Sequence, residues 1–321
     1  MTISGLAITG QFINGTCPSF FDDDFGIIAL GFAPQGANVQ LRGDTLRSGG
    51  SSGLPDCPIL GDGALIGRHL WPTTAGGTQT VNFVAHASVT DTTITGYHRK
   101  GMLADGPGTT VKVQGSVING GGPSTTFFPE GIQISRGATG QVIGNLIEGN
   151  EYSGTTPYDQ AAGIALFGGC TDTPTGGPLD TNVKIDGNVV RGNDIGVDVF
   201  EGDNTSGCAN STTAPTDEQI TGNVITKNDG ITDTAPYTDQ YGNNYAGCQA
   251  GIADQGSDGD TITANLIQSS DGAFGPQVGP PGPFLTPIDI QSYSPVDPHM
   301  SGNLYNGQPT RPPYPGEPGA S

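Results

Sequence analysis

A short Gly-Asn phrase recurs along the chain and constrains the fold more than any other feature. It reads GNLIEGN at 144–150, GNVVRGN at 187–193, GNVITKN at 222–228, ANLIQSS at 264–270 and GNLYNGQ at 302–308. Looser copies begin at Thr2, Val39, Val89 and Val111. A second phrase alternates with it and opens on Gly before aliphatic residues: GMLADG from Gly101, GIQIS from Gly131, GIALF from Gly163, GVDVF from Gly196 and GIADQ from Gly251. Earlier copies start at Gly26 and Gly63. Two short strands alternating at irregular intervals of roughly 30–55 residues predict a chain wound into a solenoid.

The coil explains an otherwise odd composition. Only 33% of the 321 residues are hydrophobic, with 54 Gly and 25 Pro. Such a balance would suit a disordered chain, but the Val, Ile and Leu fall at regular positions and the glycines at repeated turns. Within each phrase, alternation points one row of side chains inward. The Asn after each turn Gly, at Asn145, Asn188, Asn223, Asn265 and Asn303, is expected to stack on its own kind. Backbone groups would then pair between coils, about 4.8 Å apart.

Net charge is −20 with only 11 Lys and Arg. That excludes a phosphate-backbone partner, which needs a basic surface. No P-loop occurs, nor a Gly-x-Gly-x-x-Gly between strand and helix, and no apolar run has membrane-spanning length. A secreted protein is expected, its leader removed ahead of the strand residues at Thr2. Cys17 and Cys57 each follow an early copy of the first phrase; Cys170 and Cys208 follow successive copies of the second. Each pair is therefore expected in stacked loops, as a disulfide between neighbouring coils, with buried free thiols as the alternative. Cys248 is left over or replaces one of them.

Tandem GNxI and GIxI phrases with an Asn ladder resemble the right-handed parallel β-helix repeat proteins of the pectate-lyase-like superfamily. The resemblance implies an all-β, single-stranded right-handed parallel β-helix of about eight coils over 1–308, with a Pro/Gly-rich tail at 309–321. Long departures from the repeat, at 49–62, 151–162, 171–180, 203–217 and 229–250, read as projecting loops that build a binding face. The resemblance speaks for the fold and not for the chemistry. The Asn-Thr-Asp, Gly-His-Gly and Arg-Ile-Lys set of polygalacturonases is absent, as is the characteristic Asp-His segment of pectate lyases. Asp297-Pro298-His299 resembles the core motif of alginate epimerases, but Val296 and Met300 depart from that pattern.

Candidate chemistry therefore comes from the strand surface. In the second phrase the residue after Gly points inward, so the third and fifth positions face solvent. Phe167 and Phe200 fall at equivalent positions on successive coils and suit the apolar face of a sugar. Gln133, Arg136 and Gln255 are candidate substrate contacts beside them. Asp105, Asp198, Asp289 and Glu201 share this surface, and Glu130 stands one strand from Lys100. Paired carboxyls on such a face suit glycoside hydrolysis, with Glu130 as acid or base assisted by Asp198 or Asp159; a surface ion pair with Lys100 is the bland reading. A lyase would need a base, for which His98-Arg99-Lys100 and Arg68-His69 are the available clusters. Asp22-Asp23-Asp24 is a candidate Ca²⁺ ligand run or a solvated turn, and no other cofactor is implied. The expected partner is a polysaccharide or oligosaccharide, with a glycoside hydrolase the leading activity. A polysaccharide lyase or epimerase, or a non-catalytic glycan-binding surface protein, are the alternatives.

Overall fold

The computed structural model describes residues 2–9, 27–29, 37–47, 62–67, 69–72, 78–81, 84–157, 160–169, 177–200, 216–239, 242–255, 259–270, 272–275, 280, 282–291 and 298–310. The described residues are strands, turns and irregular chain, with no helix among them. Three long sheets hold nine, ten and eight strands, and the chain visits them in rotation. Thr110–Gln114 lies in the first, Val117–Asn119 in the second and Glu130–Ser135 in the third; Thr139–Ile143, Leu146–Glu148 and Ala162–Phe167 then repeat the circuit. Each strand pairs in parallel with its counterpart in the next circuit: Val117, Ile118 and Asn119 stand beside Leu146, Ile147 and Glu148. The final pair, Leu304–Tyr305 with Gln308–Pro309, is antiparallel. Apart from that end pair, the three long sheets are parallel and in register, an arrangement compatible with a β-solenoid.

The corner between the first and second sheets is always made by two residues, and the Gly-Asn phrase supplies it. Gly144, Gly187 and Gly222 adopt φ of 62°, 65° and 64°, a left-handed conformation that glycine reaches without steric cost. Asp91 and Ala264 take the same conformation at their own corners, with φ of 51° and 56°.

The next residue turns inward and joins a ladder. Asn188 donates from Nδ2 to Asn223 Oδ1 and to the Val142 carbonyl, each at 2.9 Å. Its own Oδ1 accepts from the Asn145 backbone N–H at 2.9 Å and side-chain amide at 3.0 Å. The same pattern runs through Asn265 to Asn303. Toward the N-terminus the rungs change type: Ser116 N–H donates to Asn145 Oδ1, Thr92 N–H to Ser116 Oγ, and Leu6 N–H to Asp44 Oδ1. The ladder fills otherwise orphaned buried backbone positions, each of which would cost about 1–3 kcal/mol unpaired.

Inward rows from all three sheets make one aliphatic core. Ile118, Ile147, Val190 and Ile225 stack from the second sheet, and Ile132, Ile164 and Val197 from the third. Burying each such side chain stabilises the fold by about 1.5–3 kcal/mol. The second phrase needs its Gly for a different reason from the first. A Cβ on Gly131 would stand 2.5 Å from the Gly163 carbonyl oxygen, and one on Gly163 would stand 2.8 Å from that of Gly196. The coils approach too closely here for any side chain. Pro287 occupies the equivalent position beside Gly251 in Phe284–Gln291, beyond which no further strand of this sheet follows among the described residues.

Long insertions flank the third sheet on both sides, while the first-to-second corner admits none. The described part of the expected loop at 229–250 does not project, and its last residues, 248–250, belong to the strand Cys248–Gln255. The segment before that strand carries a short hairpin, Tyr237–Thr238 with Asn244–Tyr245, and folds against the edge of the third sheet. Tyr237 and Tyr245 pack on Phe284 with ring centroids 5.6 and 5.1 Å apart. Thr234 Oγ1 donates to the Gly154 carbonyl at 2.8 Å.

Candidate functional site

Parallel register carries the third-sheet residues into columns on its outer face. One column runs Leu103, Gln133, Ala165, Asp198, Ala253 and Asp289, and the next runs Asp105, Ser135, Phe167, Phe200 and Gln255. These side chains leave the sheet on the side away from the core, but most do not reach solvent as expected. Asp105, Gln133, Ala165, Ala253, Gln255 and Asp289 are buried, while Asp198, Phe167 and Phe200 are half-buried. Ala162, Ala165, Ile195, Ala250 and Ala253 form a separate apolar cluster on this outer face. The face is therefore largely withdrawn from solvent and carries an apolar patch of its own.

The aromatic pair is spaced by the strands themselves. Phe167 and Phe200 lie in register and stack with centroids 5.6 Å apart and an interplanar angle of 9°. The guanidinium of Arg136 sits 5.2 Å from the Phe167 ring centroid, a cation–π geometry, and is anchored to Asp105 Oδ1 at 3.1 Å. Phe167 therefore has both ring faces engaged, one by Arg136 and one by Phe200. The two rings present their edges outward, so a sugar stacked face-on against Phe167 is replaced by contact along ring edges. Asp105 serves this column as a structural anchor, accepting from Ser135 Oγ at 3.1 Å as well.

Lys100 and Glu130 are cross-strand neighbours joined at 3.2 Å, with side chains only 8% and 15% exposed. This is a sheltered ion pair and not the exposed surface pair of the bland expectation. Burial lowers the Lys100 ammonium from its ordinary value, with Glu130 acting in the opposite direction. Asp62 lies against the same pair, accepts from the Lys100 N–H at 3.0 Å, and is raised by burial. Glu130 is thus committed to a lysine, and by register it stands two strands and three residues away from Asp198. Its charge still reaches Asp198, where it raises the carboxyl more than that of Asp289 does.

Asp198 is different. Its Oδ1 accepts from Gln255 Nε2 at 3.1 Å, and among the described residues no cation perturbs it. Burial, reinforced by the nearby charges of Glu130 and Asp289, raises its carboxyl to about 7. Asp289 shares its column two strands on, with only Ala253 between them. Two strand spacings put their Cα atoms about 10 Å apart. The alternation of PIDIQ at 287–291 put Asp289 on this surface in the sequence, and the register puts it in the Asp198 column.

Glu201, Asp159, the run Asp22–Asp24, and Cys17, Cys57, Cys170 and Cys208 lie outside the described residues. Cys248 is a free, buried thiol. Among the described residues no group of three or more His, Cys, Asp or Glu is arranged to hold a metal ion. The described part of the epimerase-like motif puts His299 at an exposed position in the final strand of the first sheet, on a different sheet from Asp198. No protein-family model matches the chain, and no curated protein or solved structure matches it either.

Proposed function

We propose that the chain winds as a right-handed parallel β-helix of about eight coils, of the pectate-lyase-like kind, and acts outside the cell on a polysaccharide as a glycoside hydrolase. The observation that carries this reading is the outward column Asp198–Ala253–Asp289. Inverting glycosidases hold two carboxyls roughly 6.5–9.5 Å apart, and side chains on alternate strands, separated by a residue as small as Ala253, can reach that spacing. Asp198 remains protonated into the neutral range and supplies the proton for the glycosidic oxygen. Asp289 takes the proton of the attacking water. Gln255, bonded to Asp198, orients the acid, and the edges of Phe167 and Phe200 border the place where a sugar ring would lie. The acidic character of the chain favours an uncharged or weakly charged glycan.

The burial of most of this face supports a second reading, a glycan-binding protein without turnover. Incubating the purified protein with a panel of polysaccharides separates the readings. New reducing ends that disappear in Asp198→Asn support the hydrolase. An unsaturated product absorbing in the near ultraviolet would replace it with a lyase, and binding without any cleavage would leave the second reading standing.

A further inference from the structure

Away from the third-sheet face, a cleft of about 410 Å³ opens where the second sheet turns toward the third. One wall is a row built by register: Asn119, Glu148, Arg191 and Thr226 stand side by side on four successive strands. Glu148 accepts from Asn119 Nδ2 at 2.9 Å and from Arg191 Nε at 2.6 Å, so the row is pre-ordered and still offers donors and acceptors to solvent. Gly122, Gly149 and Gly192 supply a floor of bare backbone. At the far side Glu151 and Asp229 face each other across Lys227, and burial, with the neighbouring Asp229 carboxyl, raises Glu151 to about 7. Burial pulls Asp229 upward, but the neighbouring Glu151 and the Lys227 ammonium hold it below its ordinary value.

Lys227 lies beneath, fully buried, with Nζ 2.5 Å from Glu151, 3.1 Å from Asp229 and 3.6 Å from Asp194. Its ammonium fills the space among these carboxyls, so a metal cation there would meet a like charge. The cleft is thus a fixed, hydroxyl-matching surface and not a cation cage.

A second observation is independent of these charges. Next to the polar row, and parallel to it, runs an outward aliphatic stripe: Val117, Leu146, Val189, Val224 and Leu266, one per strand. Val189 is 40% exposed, and the rest are half-buried. An apolar rail beside a rail of amide, carboxylate and guanidinium groups, each repeating at about 4.8 Å, matches a chain of repeating units that show an apolar ring face and a hydroxyl edge.

We propose that the corner cleft and the stripe beside it form a second carbohydrate site, which takes an uncharged linear polysaccharide lying along the strand stack. The stripe receives the ring faces, and Asn119, Glu148 and Arg191 receive the hydroxyls. Net charge of −20 disfavours a polyanionic glycan. This site shares the ligand class of the preceding section but none of its residues.

The test measures binding of uncharged hexasaccharides of several backbone types to the full chain by calorimetry. The proteins compared are the wild type, Val189→Asp, Arg191→Ala and Asp198→Asn. Val189 and Arg191 are exposed enough that both variants should keep the wild-type melting temperature. The expected result is at least one hexasaccharide whose affinity falls about tenfold or more in both Val189→Asp and Arg191→Ala and is unchanged in Asp198→Asn. Equal affinity in wild type and both cleft variants overturns the proposal. So does binding confined to charged glycans or to proteins. If the hexasaccharide binds through Val189 and Arg191 but the protein cleaves nothing, this site stands and the hydrolase reading falls.

Discussion

At the residue scale, the Gly-Asn corner separates two demands that the sequence places side by side. The Gly answers a backbone demand and the Asn a hydrogen-bonding one. A Cβ on Gly144 would meet nothing within 4 Å, so its only constraint is φ. Ala264 shows the consequence, because it holds φ of 56° with a Cβ in place. A non-glycine residue in this region costs about 1–2 kcal/mol. Ala264→Gly is therefore expected to stabilise the protein by about 1 kcal/mol, after the entropy that glycine adds to the unfolded chain. Gly144→Ala should destabilise by about the same amount. Urea midpoints of the two variants check this, and shifts of the same sign would refute it. The Asn half of the phrase was legible in sequence because like residues recur. Its continuation through Ser116, Thr92 and Asp44 was not, since different side chains can fill the same rung as long as an oxygen faces the neighbouring N–H.

At the scale of the element, the third sheet carries both the tightest packing and the candidate chemistry. Gly131 is hemmed by the Gly163 carbonyl oxygen at 2.5 Å and Ile147 Cγ2 at 2.7 Å from an added Cβ. Backbone cannot rotate away as a side chain could, so Gly131→Ala should cost about 3 kcal/mol, more than Gly144→Ala. Equal losses from the two substitutions would show that the coils are not in close contact there. The Asp198 carboxyl gives this sheet a pH dependence with a definite sign. As a general acid it must be protonated, so kcat/KM should fall as pH rises through about 7. Asp198→Asn should lower the rate by about 10²–10⁴-fold and abolish that alkaline limb. A limb that survives in the variant would assign the proton to another group. The alternation of strand residues was readable from sequence, and with it the side of the sheet each carboxyl occupies. What covers that side was not. Segment 229–247 reaches the sheet edge through single contacts such as Thr232 Oγ1 to Asp194 Oδ1, and these have no period to betray them. The Lys227–Glu151 pair, 76 residues apart, was hidden for the same reason.

Across the whole molecule, the strands form linear arrays in which each one pairs with its counterparts in the circuit before and the circuit after. Stability in such an array is a sum of neighbour terms, and the ends have one neighbour instead of two. Burial follows that logic. The inward residues Val113, Val142, Ile185 and Ile220 in the middle of the first sheet are fully buried, whereas Ile3 and Met300 in its terminal strands are only half-buried. The Asn ladder changes the expectation for the interior, because it couples rungs through side chains as well as through the sheets. Asn145 to Asn303 should behave as one protected block. Native-state hydrogen exchange resolves this rung by rung. Amides of 110–148 and 184–227 should exchange only through global unfolding, while those of 2–9 and 299–301 should open with free energies approaching about 0 kcal/mol. The antiparallel strand Gln308–Pro309 covers the second-sheet end at Leu304–Tyr305, while His299–Ser301 of the first sheet has no following strand among the described residues. Tyr305 should therefore be protected more than Met300, although both belong to the last circuit. Protection that is uniform from Thr2 to Tyr305 would mean that the rungs are held by something other than their neighbours, and the reading of the molecule as a stack would fail with it.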